Sequence, residues 1–308
     1  MLPRLFCLVL AAFALASCNT TPTPPARAKV LVFTKSSGFQ HEAVKLQWKE
    51  GREGYAFPVL RALADKNNLE LVFSKDGSLF TPEYLAQFDA FVFYTTGDLT
   101  QSNSDGRGDN LPAMTPAGKA ALLAAVAGGK GFVGLHSTSD TFHTGGHNDH
   151  VPQRWIDDGA AADDFVKMLG GEFIRHGDQQ AAKITVADPK FPGVSAVPAG
   201  YAPKEEWYSL KNFAPDLHVL LVQETAGMKG AEYQRPAYPC TWARKHGKGR
   251  VFYTSLGHRE DIWTSPVYQS LLEGALNWAV GRVKADVTPN LAKVAPDANK
   301  LPAYVPKK

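Results

Sequence analysis

The chain is short of cysteine: Cys7, Cys18 and Cys240 are all that its 308 residues contain. A scaffold stapled by several disulfides is thereby excluded. Net charge is also scarce. Lysine and arginine number 33 against 30 acidic residues, a formal charge of +3. That balance gives no electrostatic case for nucleic acid as a partner. No G-x-S-x-G elbow, Walker glycine loop or H-E-x-x-H pair occurs. The common hydrolase, nucleotide and zinc-protease signatures are therefore missing. What is present is 44% hydrophobic content, enough for one sizeable core; length alone allows one or two domains.

The N-terminus carries a short apolar run, Leu5 to Ala16, behind the single charge of Arg4. It is too short for a stable bilayer span and reads as a signal peptide over residues 1–17. Leu15-Ala16-Ser17-Cys18 resembles the bacterial lipoprotein processing box. The resemblance implies cleavage before Cys18 and lipid on that residue. Asn19 follows, where an aspartate typically retains such proteins at the inner membrane, so an outer-membrane anchor facing the periplasm is expected. Cys7 would leave with the leader and Cys18 would carry lipid. Cys240 is then alone, which excludes both an intrachain disulfide and a cysteine-built zinc site. Asn19 to Ala28 (NTTPTPPARA) is a polar, proline-rich spacer, so residues 18–28 form the anchor and tether.

Residues 29–282 read as one α/β domain. Strands are expected at Lys29–Thr34, Leu69–Ser74, Phe88–Thr95, Gly131–His136, Ala182–Val186, His218–Gln223 and Arg250–Leu256. Helices are expected at Glu42–Lys49, Phe57–Lys66, Thr115–Ala127, Asp158–Leu169 and Ser265–Ala279. Gly128-Gly129 ends the alanine-rich helix. Apolar strands alternating with helices predict a mostly parallel sheet covered on both faces. The ligand crevice of such a sheet lies beyond the carboxyl ends of its strands. Asp188 to Tyr238 is less regular and reads as an insertion or lid. Residues 283–308, with five lysines and four prolines, read as a peripheral tail.

Polar residues gather where strands end: His41 and Glu42, then His136 to His143 including Asp140, then His258-Arg259-Glu260. Imidazole beside carboxylate is the usual material of a general base. Of Glu205 and Glu206, alternation along an extended segment allows one to face a site, and Glu206 is preferred. His176 ends another extended segment. Trp207, Tyr208 and Trp242 are aromatic candidates for stacking on a sugar. His143, His147 and His150 with Asp149 make a second candidate metal loop. His218 and His246 read as surface residues. Ser37 and Ser137 are eligible nucleophiles that nothing singles out.

The blocks KVLVFTKSSGFQHEAV, GKGFVGLHSTSDTF, LGGEFIRHGDQQAAKITVADPKFPGV, EEWYSL and GKGRVFYTSLGHREDIW resemble, in order, the ThuA-like (trehalose-utilisation) family over about residues 29–281. That family is similar in fold to class I glutamine amidotransferases, a flavodoxin-like α/β fold. His136 stands at the amidotransferase nucleophile elbow and His258 at the place of its later histidine, so thiol-dependent amide transfer is not expected. The resemblance carries His41, His136, Asp140, His176, Glu206, Trp242 and His258. It departs mildly at Glu205-Glu206, where Asp-Glu is frequent, and at His176-Gly177, where His-Pro is frequent. It implies a small carbohydrate substrate, including disaccharides and keto forms. On this reading His136, His258, Asp140 and Glu206 are catalytic, while His41, His176, Trp242 and Arg259 bind substrate. A divalent metal, zinc or similar, on His136, His258 and a carboxylate, with His41, is the cofactor candidate. A non-catalytic sugar-binding envelope protein is the alternative.

Overall fold

The computed structural model describes residues 27–146 and 151–306. Cys18, His147, Asp149 and His150 lie outside the described residues. From the N-terminus the elements are β1 (Ala28–Phe33), α1 (Ala56–Lys66), β2 (Leu69–Ser74), α2 (Pro82–Ala86), β3 (Ala90–Phe93), α3 (Pro116–Ala127), β4 (Gly131–Leu135) and α4 (Asp164–Leu169). There follow β5 (Glu172–His176), β6 (Gln180–Ala181), β7 (Ile184–Val186), β8 (Lys204–Glu205), β9 (Tyr208–Lys211) and β10 (His218–Gln223). The chain closes with β11 (Tyr238–His246), β12 (Gly249–Thr254), α5 (Glu260–Trp263), α6 (Pro266–Ala279) and α7 (Leu291–Val294).

Eight strands form the main sheet in the order β2-β1-β3-β4-β12-β11-β10-β7. The first five run parallel; β11, β10 and β7 continue it antiparallel. Helices cover both faces, as the alternation of side chains along each strand requires. Val30 and Val32 enter the core made with α1 and α6; Leu31 and Phe33 enter the opposite core, made with α3 and α4. The mixed α/β architecture and mostly parallel sheet thus agree with expectation. Thr115 caps α3, its hydroxyl accepting from Gly118 N at 2.9 Å, with Pro116 at the first helical position, where proline loses no hydrogen bond.

Four expected segments come out differently. The helix over Glu42–Lys49 is two short 3₁₀ turns, Glu42–Val44 and Lys49–Gly51. Lys45 is extended between them, and Glu50 takes a left-handed φ of 58° that a regular helix cannot accommodate. The helix expected from Asp158 begins only at Asp164, because the Asp163 side chain caps it by accepting from Phe165 N at 2.8 Å. Asp188 to Tyr238 is integral to the fold: it supplies β8, β9 and β10. Small antiparallel pairs, β5 with β9 and β6 with β8, stand beside the main sheet and bring Phe173, His176, Glu206 and Tyr208 to the strand ends.

The expected peripheral tail instead packs on the body. Leu291, Ala295 and Ala298 are buried. Asn290 imitates a neighbouring strand: its side chain accepts from Val219 N at 2.6 Å and donates to Val219 O at 3.0 Å. Composition hid this, because amide side chains and small apolar residues carry the docking. His218, expected at the surface, is also buried, between Asp188 and the Thr288 carbonyl. Cys240 is fully buried in β11, and burial pushes its thiol up to about 12.

Candidate functional site

The reactive side chains sit where three segments leave the main sheet and meet a fourth, the link between β8 and β9. After β1 the chain runs beneath the Gly97 turn, and this approach places His41, which is buried. After β4 comes His136, fully buried and held at a left-handed φ of 41°. Strain in a non-glycine residue marks a position that the surrounding structure over-determines. Tyr253 fixes it by donating to the His136 carbonyl at 2.8 Å. After β12, Gly257 turns at φ 120°, and a Cβ there would come within 2.5 Å of the Tyr268 hydroxyl, so glycine is required to deliver His258. The Glu205 carboxylate accepts from the backbone N–H groups of Gly257 and His258, at 2.9 and 3.2 Å. Glu206, one residue on, faces the other way, into the cluster.

His136 Nδ1 lies 2.8 Å from the Ser255 carbonyl. A carbonyl only accepts, so Nδ1 carries the proton and Nε2 presents a bare lone pair. That Nε2 is 3.6 Å from Glu206 Oε2, which also lies 3.0 Å from His258 Nδ1 and 4.0 Å from His41 Nε2. The other oxygen, Oε1, is 3.5 Å from His176 Nδ1. One ligand atom from each of His41, His136, Glu206 and His258 lies within 4.8 Å of the rest.

These residues fit a divalent metal ion. His41 Nδ1, His136 Nε2 and His258 Nδ1 are buried without a hydrogen-bond partner among the described residues, a costly state for polar atoms. The His258–Glu206 approach is short but off the angle a hydrogen bond needs. Buried imidazole nitrogens that crowd one carboxylate without bonding one another suit ligands sharing an ion. Three imidazoles and one carboxylate match zinc and other borderline first-row metals.

The electrostatics agree. Burial, and next the neighbouring His136 and His258, hold His41 well below the usual imidazole range, so it is neutral. Burial opposes ionisation of Glu206, but the surrounding imidazoles outweigh it and hold the carboxyl far below the carboxylate range. Burial pulls His258 down, yet Glu206 raises it further, to a net value above an ordinary imidazole.

Above the cluster is a cavity of about 360 Å³, walled by His41, Glu206, His258, Asp140, His176 and Tyr208, with Phe39, Asp105, Arg107, Arg154 and Phe173 completing the rim. Asp140 belongs to a buried chain of charges. His143 Nε2 is hydrogen-bonded to Asp140, and its Nδ1 lies 3.0 Å from Glu172 Oε1. The other Glu172 oxygen accepts from Asn212 at 2.7 Å, and Lys211 Nζ stands 3.9 Å from the carboxylate. Arg154 lies against both Asp140 and His143.

The structure therefore brings together His41, His136, Asp140, His176, Glu206 and His258. It does not bring Trp242. That ring is fully buried against Tyr253, at 4.4 Å between centroids, and donates to the Leu169 carbonyl; its role as a substrate platform is corrected to core packing. Trp207 is core as well, whereas Tyr208 lines the cavity. Arg259 lies in the adjoining cleft, paired with Asp261 and Gln179. His143 faces Asp140 and Glu172. Ser37 donates to the Gln101 carbonyl. Sequence reasoning missed Asp105, Arg107, Arg154 and Phe173. The first two had one signal, a stretch between β3 and α3 too long for an ordinary connection.

The ThuA model, described as trehalose utilisation, matches residues 29–279. Among solved structures, the fold is similar to a ThuA-like protein of Bacteroides uniformis ATCC 8492, with 21% identity, TM-score 0.59, and coverage of 86% of this chain and 96% of that one. It is also similar to a ThuA-like protein of Parabacteroides merdae ATCC 43184, with 18% identity, TM-score 0.53, and coverage of 91% and 98%. No curated protein matches the chain. A family match spanning residues 29–279, nearly the whole described body, places this chain in the ThuA (trehalose utilisation) family.

Proposed function

We propose that this chain is a metal-dependent enzyme acting on a neutral sugar, a glycoside or its keto form. The observation that carries the proposal is the bare Nε2 of His136, aimed with two further imidazoles and Glu206 beneath an open cavity. The family's description, trehalose utilisation, supports carbohydrate as the substrate class. The strand order β2-β1-β3-β4-β12 supports a flavodoxin-like kinship. His136 at the strained turn after β4, with Cys240 buried in the sheet, argues against thiol amide transfer.

A bound divalent ion would supply Lewis acidity toward a carbonyl or hydroxyl oxygen. With His41, His136, His258 and Glu206 as its ligands, proton transfer passes to Asp140 and His176 on the same walls. On a keto-glycoside, Asp140 would take the proton next to the ketone. The C–H electron pair becomes a C=C bond, the glycosidic C–O bond breaks, and His176 protonates the departing oxygen. No paired carboxylates of the ordinary glycosidase kind are needed.

A product assay with glucosyl disaccharides and their 3-keto forms, across zinc, manganese, cobalt and nickel, tests this reading. New product from one class, abolished by chelation and restored by metal, is expected. Stoichiometric sugar binding without product would favour a binding protein. Metal affinity should fall with acid, because Glu206 holds a proton on His258 that the ion must displace. A loss of roughly tenfold per pH unit below the His258 value is expected for that proton. Flat affinity between pH 7.5 and 5.5 in a chelator competition would argue against imidazole ligation.

We also propose that the chain is an exported lipoprotein anchored through Cys18, on the strength of the leader and the Leu15–Cys18 box. Mass spectrometry of the membrane fraction should find an acylated N-terminal Cys18 peptide; an unprocessed Met1 terminus would refute this.

A further inference from the structure

We propose that the cleft beyond His258 is a second sugar subsite, so that the substrate is a two-ring neutral glycoside lying across His258. The inference rests on the sugar reading above and specifies its substrate.

The two spaces are continuous. Phe39 and His258 line both the reactive cavity of about 360 Å³ and the neighbouring cleft of about 680 Å³. A ligand confined to the first would leave the larger space unused. A bond broken at the cluster needs room on both of its sides. The divider itself has the character of a platform. Phe39 is 43% exposed and stands at the boundary shared by the two spaces, where its ring is open to a ligand from either. Its orientation is held from two sides: its ring meets that of His41 at 5.0 Å, and the Arg107 guanidinium lies 5.8 Å from its centroid.

The far wall is built and tied to the reactive centre. Trp48 Nε1 donates to Glu42 at 2.9 Å, and the indole meets Tyr55 edge to face at 5.1 Å. The Tyr55 hydroxyl in turn donates to the His258 carbonyl. Two cations, Lys49 and Arg52, lie over the indole, against one, Arg107, over Phe39, so Phe39 keeps one ring face for stacking and Trp48 serves as a wall. Arg259 is held in place by Asp261 at 2.8 Å and Gln179 at 2.7 Å. Glu42, Glu260 and Asp261 face Lys49 and Arg259 along this cleft. Carboxylates that match or exceed the cations suit the hydroxyls of an uncharged ring and repel a phosphate, which calls for surplus cations. Binding energy gathered in such a remote subsite can be spent on positioning the bond at the centre.

The test is a zinc-loaded NMR titration of the full folded chain. It follows the Trp48 indole N–H, assigned by its loss in Trp48→Phe, and the ring signals of His136. The probes are trehalose and cellobiose as two-ring sugars, methyl α-D-glucopyranoside as a one-ring sugar, and trehalose 6-phosphate. A two-ring sugar is expected to shift Trp48 and His136 together at one half-saturation concentration, while the methyl glucoside shifts His136 alone. Arg259→Ala should raise the half-saturation of that disaccharide about tenfold. A disaccharide that moves His136 and never Trp48 overturns the second subsite and leaves the sugar reading intact. Tighter binding of trehalose 6-phosphate overturns the neutral-ring assignment. No shift at either place with any sugar overturns the sugar reading and the subsite with it.

Discussion

Glu206→Gln is expected to lower turnover by at least about 100-fold and to weaken divalent-metal binding by a comparable factor, since even residues that merely orient a metal ligand cost about 10–100-fold. Glutamine keeps the volume and removes the charge. Glu206 is the carboxylate that His41, His136 and His258 share, and its other oxygen faces His176. The variant leaves three imidazoles with no anion among them. Stability should shift as well, and in a pH-dependent way. In the folded chain the Glu206 carboxyl is held far below its ordinary value because burial is outweighed by the imidazoles. A depressed acid contributes stability above its unfolded value, about 4.3, and that contribution fades as pH falls. Metal-free Glu206→Gln should therefore melt below the parent at pH 7, with most of that gap kept at pH 4 and lost only in stronger acid. Metal content by mass spectrometry and thermal melts at both pH values check the two halves. Full metal occupancy and unchanged turnover would remove Glu206 from the centre.

The second large effect is expected at Glu172→Ala, a loss of about 3–5 kcal/mol, the usual cost of stripping one partner from a buried ionic network. Glu172 is fully buried and has four partners: His143, Asn212, Lys211 and the Thr144 N–H. Burial works against its ionisation, but the His143 bond leads the interactions that leave it below the usual carboxylate range. Alanine leaves His143 and the fully buried Lys211 without that anion. For a body of this size the melting temperature should drop by roughly 10 °C. Glu172→Gln, which retains an acceptor for Asn212, should lose less. Because His143 also bonds Asp140 at the cavity wall, Glu172→Gln should depress turnover more than metal affinity. A melt within about 2 °C of the parent for the alanine variant would show the network to be dispensable.

Much of the fold was legible because its strands are buried on both faces. KVLVF and RVFYT announce themselves as apolar runs, and most of the expected strands overlap those observed. The helices that misled were the ones decided by single residues: Asp163 as a cap and Glu50 in a left-handed turn. Legibility failed most for the C-terminal segment, whose docking rests on Asn290 and Asn299 bonding backbone groups of Val219 and Phe213. Such bonds leave no periodicity.

The site was legible through strand ends. His136 directly follows β4 and His258 comes four residues after β12; the two strands are neighbours in the sheet, and the resemblance to a known family carried Glu206 and His41 to the same place. Trp242 failed because an indole flanked by apolar residues reads alike whether it faces a ligand or a core. The Asp140–His143–Glu172 chain went unseen for a different reason. Its members lie 29 residues apart at their widest bond, and only the packing of β5 against the turn after β4 joins them.

The most direct test of the central claim is X-ray absorption spectroscopy of the zinc-loaded chain. One tightly held ion per chain is expected, with three imidazole nitrogens and a carboxylate oxygen at about 2.0–2.2 Å. Loss of that signal is expected in His136→Ala. Absence of stoichiometric metal, or an unchanged spectrum in the His136 variant, would contradict it.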